Sequence, residues 1–440
     1  MKLLAIALTL LAQVETTPPP PGPPRQPVLP KPVERTLKNG LRVIAVPKHE
    51  VPIVEVRLLV ETGAEADAPD RAGEADMTAS LLTKGTKTRT AEQIARDVEA
   101  LGATLDSGAM WDASAVSLNV MSSNLSKALG YMADVVLNPV FKKEEVERLR
   151  AQNLDALQVA MRDPGELARF VAARVLFGST PYGHNLGGTP ESLKRITQTD
   201  ILAFHKRYYR PKNAILVFGG DVTPDRAFAL AQEKFGSWSG AASAYDRTPP
   251  RLPAAGRVLV IDMPDAGQAA VLVTRPGIKR GLSYGAGSGF DLRRDVGPFV
   301  ASAQTKNESA AEVAGLIVDE MKKMSDEPVA DVELGPRKAT LIGNFGRSLE
   351  TAEGLVGRVS FLALYGLPLD ELNRYISGVQ AVTAAQIQQF ASAHLGGQSD
   401  VIIVGDAKKF LDPLKQRFKD IDVIPIDQLD LDSPTLRKKS

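Results

Sequence analysis

The chain writes one structural unit twice, and no other feature limits its folding as strongly. At an interval of 186, Thr197 matches Thr383, Ile201 matches Ile387, Phe204 matches Phe390, Ile215 matches Val401, Val217 matches Ile403 and Gly219 matches Gly405. Six matches in one order argue for duplication, and hence for two similar domains instead of one enlarged core. The length of 440 residues agrees, because it exceeds what a single hydrophobic core usually serves. Within the repeated unit, residues 197–208 read as a helix with a threonine N-cap, and residues 214–218 as a buried strand ending at Gly219-Gly220. Residues 236–256, rich in Gly, Ser, Ala and Pro, read as a linker between the halves.

The interval is not constant. Val54 and Val56 match Val271 and Val273 at 217, so the second half is short by roughly 30 residues between its first strand and its later helices. In the first half that stretch includes a helix around residues 72–83, whose equivalent the second half is expected to lack. Other elements of the first half are also legible. Asn39-Gly40 between β-prone residues predicts a hairpin, followed by a strand over 53–60. Helical periodicity covers 91–101, 125–137, 144–161 and 166–177, with Asp163-Pro164 dividing the last two, and residues 115–121 alternate as a strand.

Composition bears on function mainly by exclusion. The 53 Lys and Arg against 52 Asp and Glu leave no overall field to attract nucleic acid. With no cysteine, the chain has no disulfide, no thiolate metal site and no cysteine nucleophile. Lys2, the apolar run over 3–12 and the proline-rich stretch over 16–32 read as an export signal followed by a tether, which places the mature chain in the periplasm. No other run approaches the roughly 20 apolar residues needed to span a bilayer.

The string GEADMTASLLTKGT over 73–86 has the outline of the signature of pitrilysin-type (M16) zinc peptidases, in which His-x-x-Glu-His on a helix precedes Leu-x-Lys-Gly-Thr. The resemblance extends over about residues 34–420, through LKNGLRV, GATLDSGAMWDASAVSLNV, Tyr182-Gly183-His184, FVASAQTKNE and YGLPLDELNRYISGVQAVT. Aligned on Lys84-Gly85-Thr86, the two histidines fall on Asp76 and Ser80 and the glutamate base on Ala79. Two imidazoles at i and i+4 share one helix face and can chelate zinc while i+3 aims a carboxylate at the bound water. Ala79 cannot accept a proton. The family's third ligand falls near Asp155 and Ala156, and histidines 49, 184, 205 and 394 form no chelating pair. Hydrolysis through Asp76 and Asp155 is the weakest reading. The resemblance therefore implies a chain that binds no metal itself.

In the second half, Arg358 and Tyr365 lie seven apart on an expected helix and so share a face. The equivalent first-half positions, counted back from Gly366 and Gly178, are Phe170 and Phe177. The spacing resembles the family's substrate-gripping Arg/Tyr pair; the plainer alternative is a core aromatic and a solvated ion pair. Several other features are read as structural. Gly285-x-Gly287-x-Gly289 reads as a bent strand or loop, His184 as a loop hydrogen-bonding residue, and His205 as half-exposed on a helix. The segment 103–120 offers an edge strand to which a peptide could add.

The resemblance implies two homologous α+β domains of the pitrilysin and mitochondrial-processing-peptidase type, each a mostly antiparallel sheet with helices on one face. The expected layout is a signal peptide and tether over 1–33, a first domain over 34–240, a linker over 241–256, a shortened second domain over 257–425 and a tail over 426–440. The implied role is that of a non-catalytic subunit, a pseudo-peptidase when alone. It would bind peptides and pair, as a heterodimer or larger assembly, with a family member that carries zinc on an intact His-x-x-Glu-His. The alternative is a peptide-binding or structural scaffold with no part in proteolysis.

Overall fold

The computed structural model describes residues 31–241, 252–276 and 288–438. Nearly all of the expected export signal and tether, the middle of the expected linker, and Gly285 and Gly287 lie outside the described residues. Among the described residues, no helix is long and apolar enough to cross a membrane.

The first domain runs β1 (Val33–Thr36), β2 (Arg42–Pro47), β3 (Ile53–Val60), α1 (Glu74–Leu81), α2 (Ala91–Glu99), β4 (Thr104–Ala109) and β5 (Ser114–Met121). It continues with α3 (Leu125–Leu137), α4 (Lys143–Ala160), α5 (Pro164–Phe177), α6 (Pro190–Arg195), α7 (Gln198–Tyr208), β6 (Ala214–Gly220) and α8 (Pro224–Phe235). The second domain opens with β7 (Val258–Asp262), β8 (Ala269–Pro276), β9 (Ser288–Phe290), β10 (Pro298–Thr305), α9 (Ala310–Asp326), α10 (Asp331–Ser348) and α11 (Ala352–Leu364). It closes with α12 (Glu371–Ala381), α13 (Ala384–His394), β11 (Asp400–Gly405), α14 (Leu411–Arg417) and β12 (Ile421–Pro425).

Local signals set many of these boundaries. Thr197 and Thr383 each accept a hydrogen bond from the N–H three residues on, and the side chains of Asp200 and Gln386 reach back to the threonine N–H, so α7 and α13 begin with matching capping boxes. The Asp163 carboxylate accepts the Glu166 N–H, with Pro164 in the first turn of α5, where its missing N–H costs nothing. The expected Asn39-Gly40 hairpin forms with a longer loop: Thr36 pairs with Arg42, leaving residues 37–41 as the connection.

Each domain holds a mixed six-stranded sheet, mostly antiparallel, in the orders β1-β2-β6-β3-β5-β4 and β12-β7-β11-β8-β10-β9. The pair β2/β6 is parallel, as is β7/β11, and the next three pairs are antiparallel in both sheets. The two sheets repeat one topology, but the strand intervals differ from the sequence reading, by one for the later strands and by two for the earlier ones. Val43 pairs with Leu216 and Val258 with Val401, so the later strands correspond at 185 and the earlier ones at 215. Ile215 and Val401, matched at 186, face opposite layers: Ile215 packs with Val356 and Val359, Val401 with Ala310 and Ala391. The helices do match at 186. One residue has been lost from the link between helix and strand, and a one-residue slip turns every side chain of a strand to the other face.

The missing 30 residues fall between β8 and β10, and no helix equivalent to α1 or α2 appears there among the described residues. Helices of each domain cover one face of its own sheet, as expected. The other face is covered by the opposite domain. α11 packs its Leu355, Val356 and Val359 against Ile44, Leu59, Ile215 and Val217, while α5 packs Leu167, Val171 and Val175 against Leu259, Leu272 and Ile402. Burying each such aliphatic side chain favours the closed arrangement by about 1.5–3 kcal/mol. Gly219 permits the approach, because a Cβ there would lie 2.5 Å from Val356 Cγ2. The segment expected to be a tail also belongs to the core: Leu429, Leu431 and Leu436 are buried in the layer around α5.

Candidate functional site

Asp76, Ala79 and Ser80 lie on α1, which packs along β4 and α7. The helix is fixed at its start by Asp67, whose carboxylate accepts the N–H groups of Gly73 and Ala75. Ala79 is fully buried, and its carbonyl accepts the Ser107 hydroxyl at 2.7 Å. Asp76 is half-buried; burial raises its pKa, opposed by the hydrogen bond it accepts from the Ala109 N–H. Asp155 and Ala156 lie on the exposed side of α4, whereas Leu154 and Leu157 pack inward. Among the described residues, no three His, Cys, Asp or Glu side chains group in a way that could hold a metal ion. The residues present do not fit a hydrolytic zinc site: Asp76 and Ser80 stand where two imidazoles would ligate, Ala156 has no ligating atom, Asp155 is exposed on α4, and Ala79 has no group to serve as base.

β4 is one of the two edge strands of the first sheet, β1 being the other, whereas β5 is interior, so only the β4 part of the expected edge segment could take an added strand. Asp76 and Ser107 tie α1 to this strand.

Arg358 and Tyr365 come together as their spacing implied. Both line one cleft of ≈ 770 Å³ between the domains, together with Arg57, Trp111, Asp112, Phe361 and Tyr375. Arg358 lies over the Phe345 ring at 5.6 Å, with its Nε 3.5 Å from the Ser348 hydroxyl. Phe170 and Phe177, the corresponding first-domain residues, sit in apolar contacts instead: Phe177 is fully buried beside Tyr182, and Phe170 packs against the layer around α5.

The Tyr365 hydroxyl is engaged. It lies 3.0 Å from Asp112 Oδ2 and 3.0 Å from the Leu292 carbonyl, and its single proton can go to either. Asp112, only 1% exposed, also accepts the Tyr182 hydroxyl at 2.6 Å and the Arg294 N–H at 2.7 Å. This carboxylate thus joins the turn after β4, the loop after α5, the strand-flanking segment around 292–294 and the end of α11. Burial and the Asp112 charge raise the pKa of both phenols, keeping them protonated donors.

Two further groups complete the cluster. Glu65 accepts the Gly63 N–H at 2.8 Å and faces Arg294 at 3.8 Å; burial, reinforced by the Asp112 charge, pushes its pKa up to about 8. Arg293 is buried with its guanidinium carbon 4.0 Å from the Trp111 ring centroid and 5.0 and 5.1 Å from those of Phe177 and Tyr182, and it pairs with Asp291 at 2.9 Å. Gly63 lets the Asp112 turn close over this site, since a Cβ there would lie 2.1 Å from the Met110 carbonyl.

His184 behaves as a loop residue, with ring nitrogens 2.9 and 3.0 Å from the carbonyls of Asn185 and Ala64, and burial lowers its pKa. His205 is half-buried, 2.9 Å from the Val136 carbonyl, with its pKa lowered to about 4 mainly by burial. Arg57, Asp112, Arg293 and Arg294 were not singled out from the sequence. One signal was present for Arg57: IVEVRLLV alternates so that Glu55, Arg57 and Leu59 share a face, and α11 covers that face.

Comparison with known proteins bears on the family and the fold. Residues 42–187 match the insulinase family of peptidases, family M16, and residues 195–279 match the domain described as the peptidase M16 inactive domain. An uncharacterised zinc protease of Mycobacterium leprae is 27% identical over 403 residues, which cover 84% of this chain and 91% of that protein. A zinc protease of Helicobacter pylori is 29% identical over 216 residues, 48% of each chain. A solved structure described as a peptidase M16 inactive domain from Pseudomonas fluorescens superposes with a TM-score of 0.78 at 25% identity, covering 85% of this chain and 98% of that one. A protease structure from Helicobacter pylori shares the fold at a TM-score of 0.76 and 22% identity, covering 86% of this chain and 100% of that one.

Proposed function

Because the chain belongs to the M16 peptidase (insulinase) family, we propose that it is the non-catalytic, substrate-binding subunit of a peptidase whose hydrolytic centre lies on a partner chain with an intact His-x-x-Glu-His. The observation that carries this reading is the contrast between two sets of positions. Those of the metal motif hold Asp76, Ala79 and Ser80, with Ala79 buried, while Arg358 and Tyr365 line an open interdomain cleft. Arg358 can grip a peptide carbonyl or carboxylate through its planar fork. Tyr365 can donate to a peptide oxygen if that oxygen displaces Asp112 or the Leu292 carbonyl. The chain itself supplies binding and orientation, and zinc belongs to the partner. The apolar run at 3–12 supports placing the assembly in the periplasm.

The test is co-expression with a family member bearing the intact motif. Co-purification is expected, with joint hydrolysis of a fluorogenic peptide falling about tenfold or more in Arg358→Ala. Unchanged turnover in that variant, or no association with any such chain, would count against the proposal. The engagement of the Tyr365 hydroxyl by Asp112 favours a second reading, a peptide-binding or structural scaffold without a part in proteolysis. Tyr365→Phe separates the two, since only the first predicts a loss of joint turnover.

A further inference from the structure

We propose that the interdomain cleft selects peptides bearing a carboxylate, held between Arg57 of β3 and Arg358 of α11. The inference rests on the reading of this cleft as the peptide site and adds its chemical preference. Both arginines line the same space. A Cβ at Gly357 would have the Arg57 Nη1 as its nearest neighbour, at 3.7 Å, so the β3 arginine reaches the turn of α11 that carries Arg358.

The acids of the cleft are already committed. Asp112 accepts from Tyr182 and from the Arg294 N–H and lies within reach of the Tyr365 hydroxyl, and Asp291 pairs with Arg293. Arg57 has Glu55 only at 3.8 Å and otherwise donates its Nε to the Ser117 hydroxyl at 3.1 Å. Among the described residues, Arg358 has no carboxylate within ion-pair distance; it lies by the Ser348 hydroxyl, the Phe345 ring and Tyr375. One carboxylate placed between the two guanidinium groups can accept charge-assisted hydrogen bonds from both. The walls beside them, Trp111, Phe361 and Tyr375, suit apolar residues flanking the acid. The arrangement therefore fits a short extended peptide with a carboxylate beside aromatic or aliphatic side chains. The carboxylate can come from an acidic side chain or from the chain terminus.

The test uses the full chain and three synthetic probes built on acetyl-Ala-Phe-Ala-X-Ala-Phe-Ala: X as Asp with an amidated end, X as Asn with a free terminal carboxylate, and X as Asn with an amidated end. Affinities are read by fluorescence anisotropy. The expected result is that at least one carboxylate-bearing probe binds about tenfold tighter than the neutral one. Arg57→Gln and Arg358→Gln, each checked for native circular dichroism, should each shrink that ratio to about twofold or less. Preference for the Asp probe assigns a side-chain carboxylate, and preference for the free end assigns the terminus. Equal binding of all three probes, or a preference that survives both substitutions, overturns this inference and leaves peptide binding standing. Binding of none overturns the peptide-site reading together with it.

Discussion

Two helices approach the first sheet from its opposite sides, and they differ in what they leave open. α1, where the family motif falls, is sealed: Ala79 is fully buried, Ser107 holds its carbonyl, and Asp76 accepts the Ala109 N–H. α11 comes from the second domain, buries Val356 and Val359, and turns Arg358 and Tyr365 into a cleft. α1 serves as a packing element between β4 and α7, whereas α11 keeps polar groups facing the cleft. The two helices can differ in this way because they rest on opposite faces of the same sheet.

The comparison is most severely strained at the group that joins the domains. Asp112→Ala strands the buried Tyr182 hydroxyl and leaves Tyr365 with Leu292 alone, and is expected to cost about 3–5 kcal/mol in urea unfolding. A loss under about 1 kcal/mol would mean the carboxylate is not the hinge between the halves. Next in size is the contrast between the helices themselves. Ala79→Glu should destabilise by about 3 kcal/mol or more, because it forces an ionisable group into filled space, whereas Arg358→Ala should stay within about 0.5 kcal/mol of the parent. Similar losses at the two sites would erase the distinction drawn between them.

A smaller effect follows from Glu65. Its pKa in the folded chain, about 8, lies above the unfolded value near 4.5, so the folded state binds the extra proton. Its contribution to stability is fully present below about pH 4.5 and is lost as pH rises through about 8, with a slope of at most ~1.4 kcal/mol per pH unit. Glu74, raised to about 7 chiefly by burial, acts in the same direction. Glu65→Gln should flatten the fall in stability across this window, and an unchanged slope would remove Glu65 from the cluster. Smallest is Tyr365→Phe, expected to lower stability by about 1 kcal/mol through one lost hydrogen bond.

Much of this architecture could be read from residues in order. The caps at Thr197, Thr383 and Asp163 are local signals, and α3 and α7 fall where periodicity placed them. The register of β6 and β11 could not be read, because every residue of both strands is buried and an unbroken apolar run carries no phase. The exchange of α5 and α11 between sheets depends on packing over the whole chain. At the site, the seven-residue spacing of Arg358 and Tyr365 was visible, and so was the substitution of Asp76, Ala79 and Ser80. Asp112 was not, since a lone aspartate in a turn looks solvated until Tyr182, Arg294 and Tyr365 converge on it from distant segments.

The central claim is that α1 can no longer hold a hydrolytic ion. It is tested most directly by measuring bound metal and peptidase activity of the purified chain by itself, with and without a chelator. The account predicts no stoichiometric zinc and no chelator-sensitive cleavage. One tightly held equivalent of zinc, together with cleavage that the chelator abolishes, would contradict it.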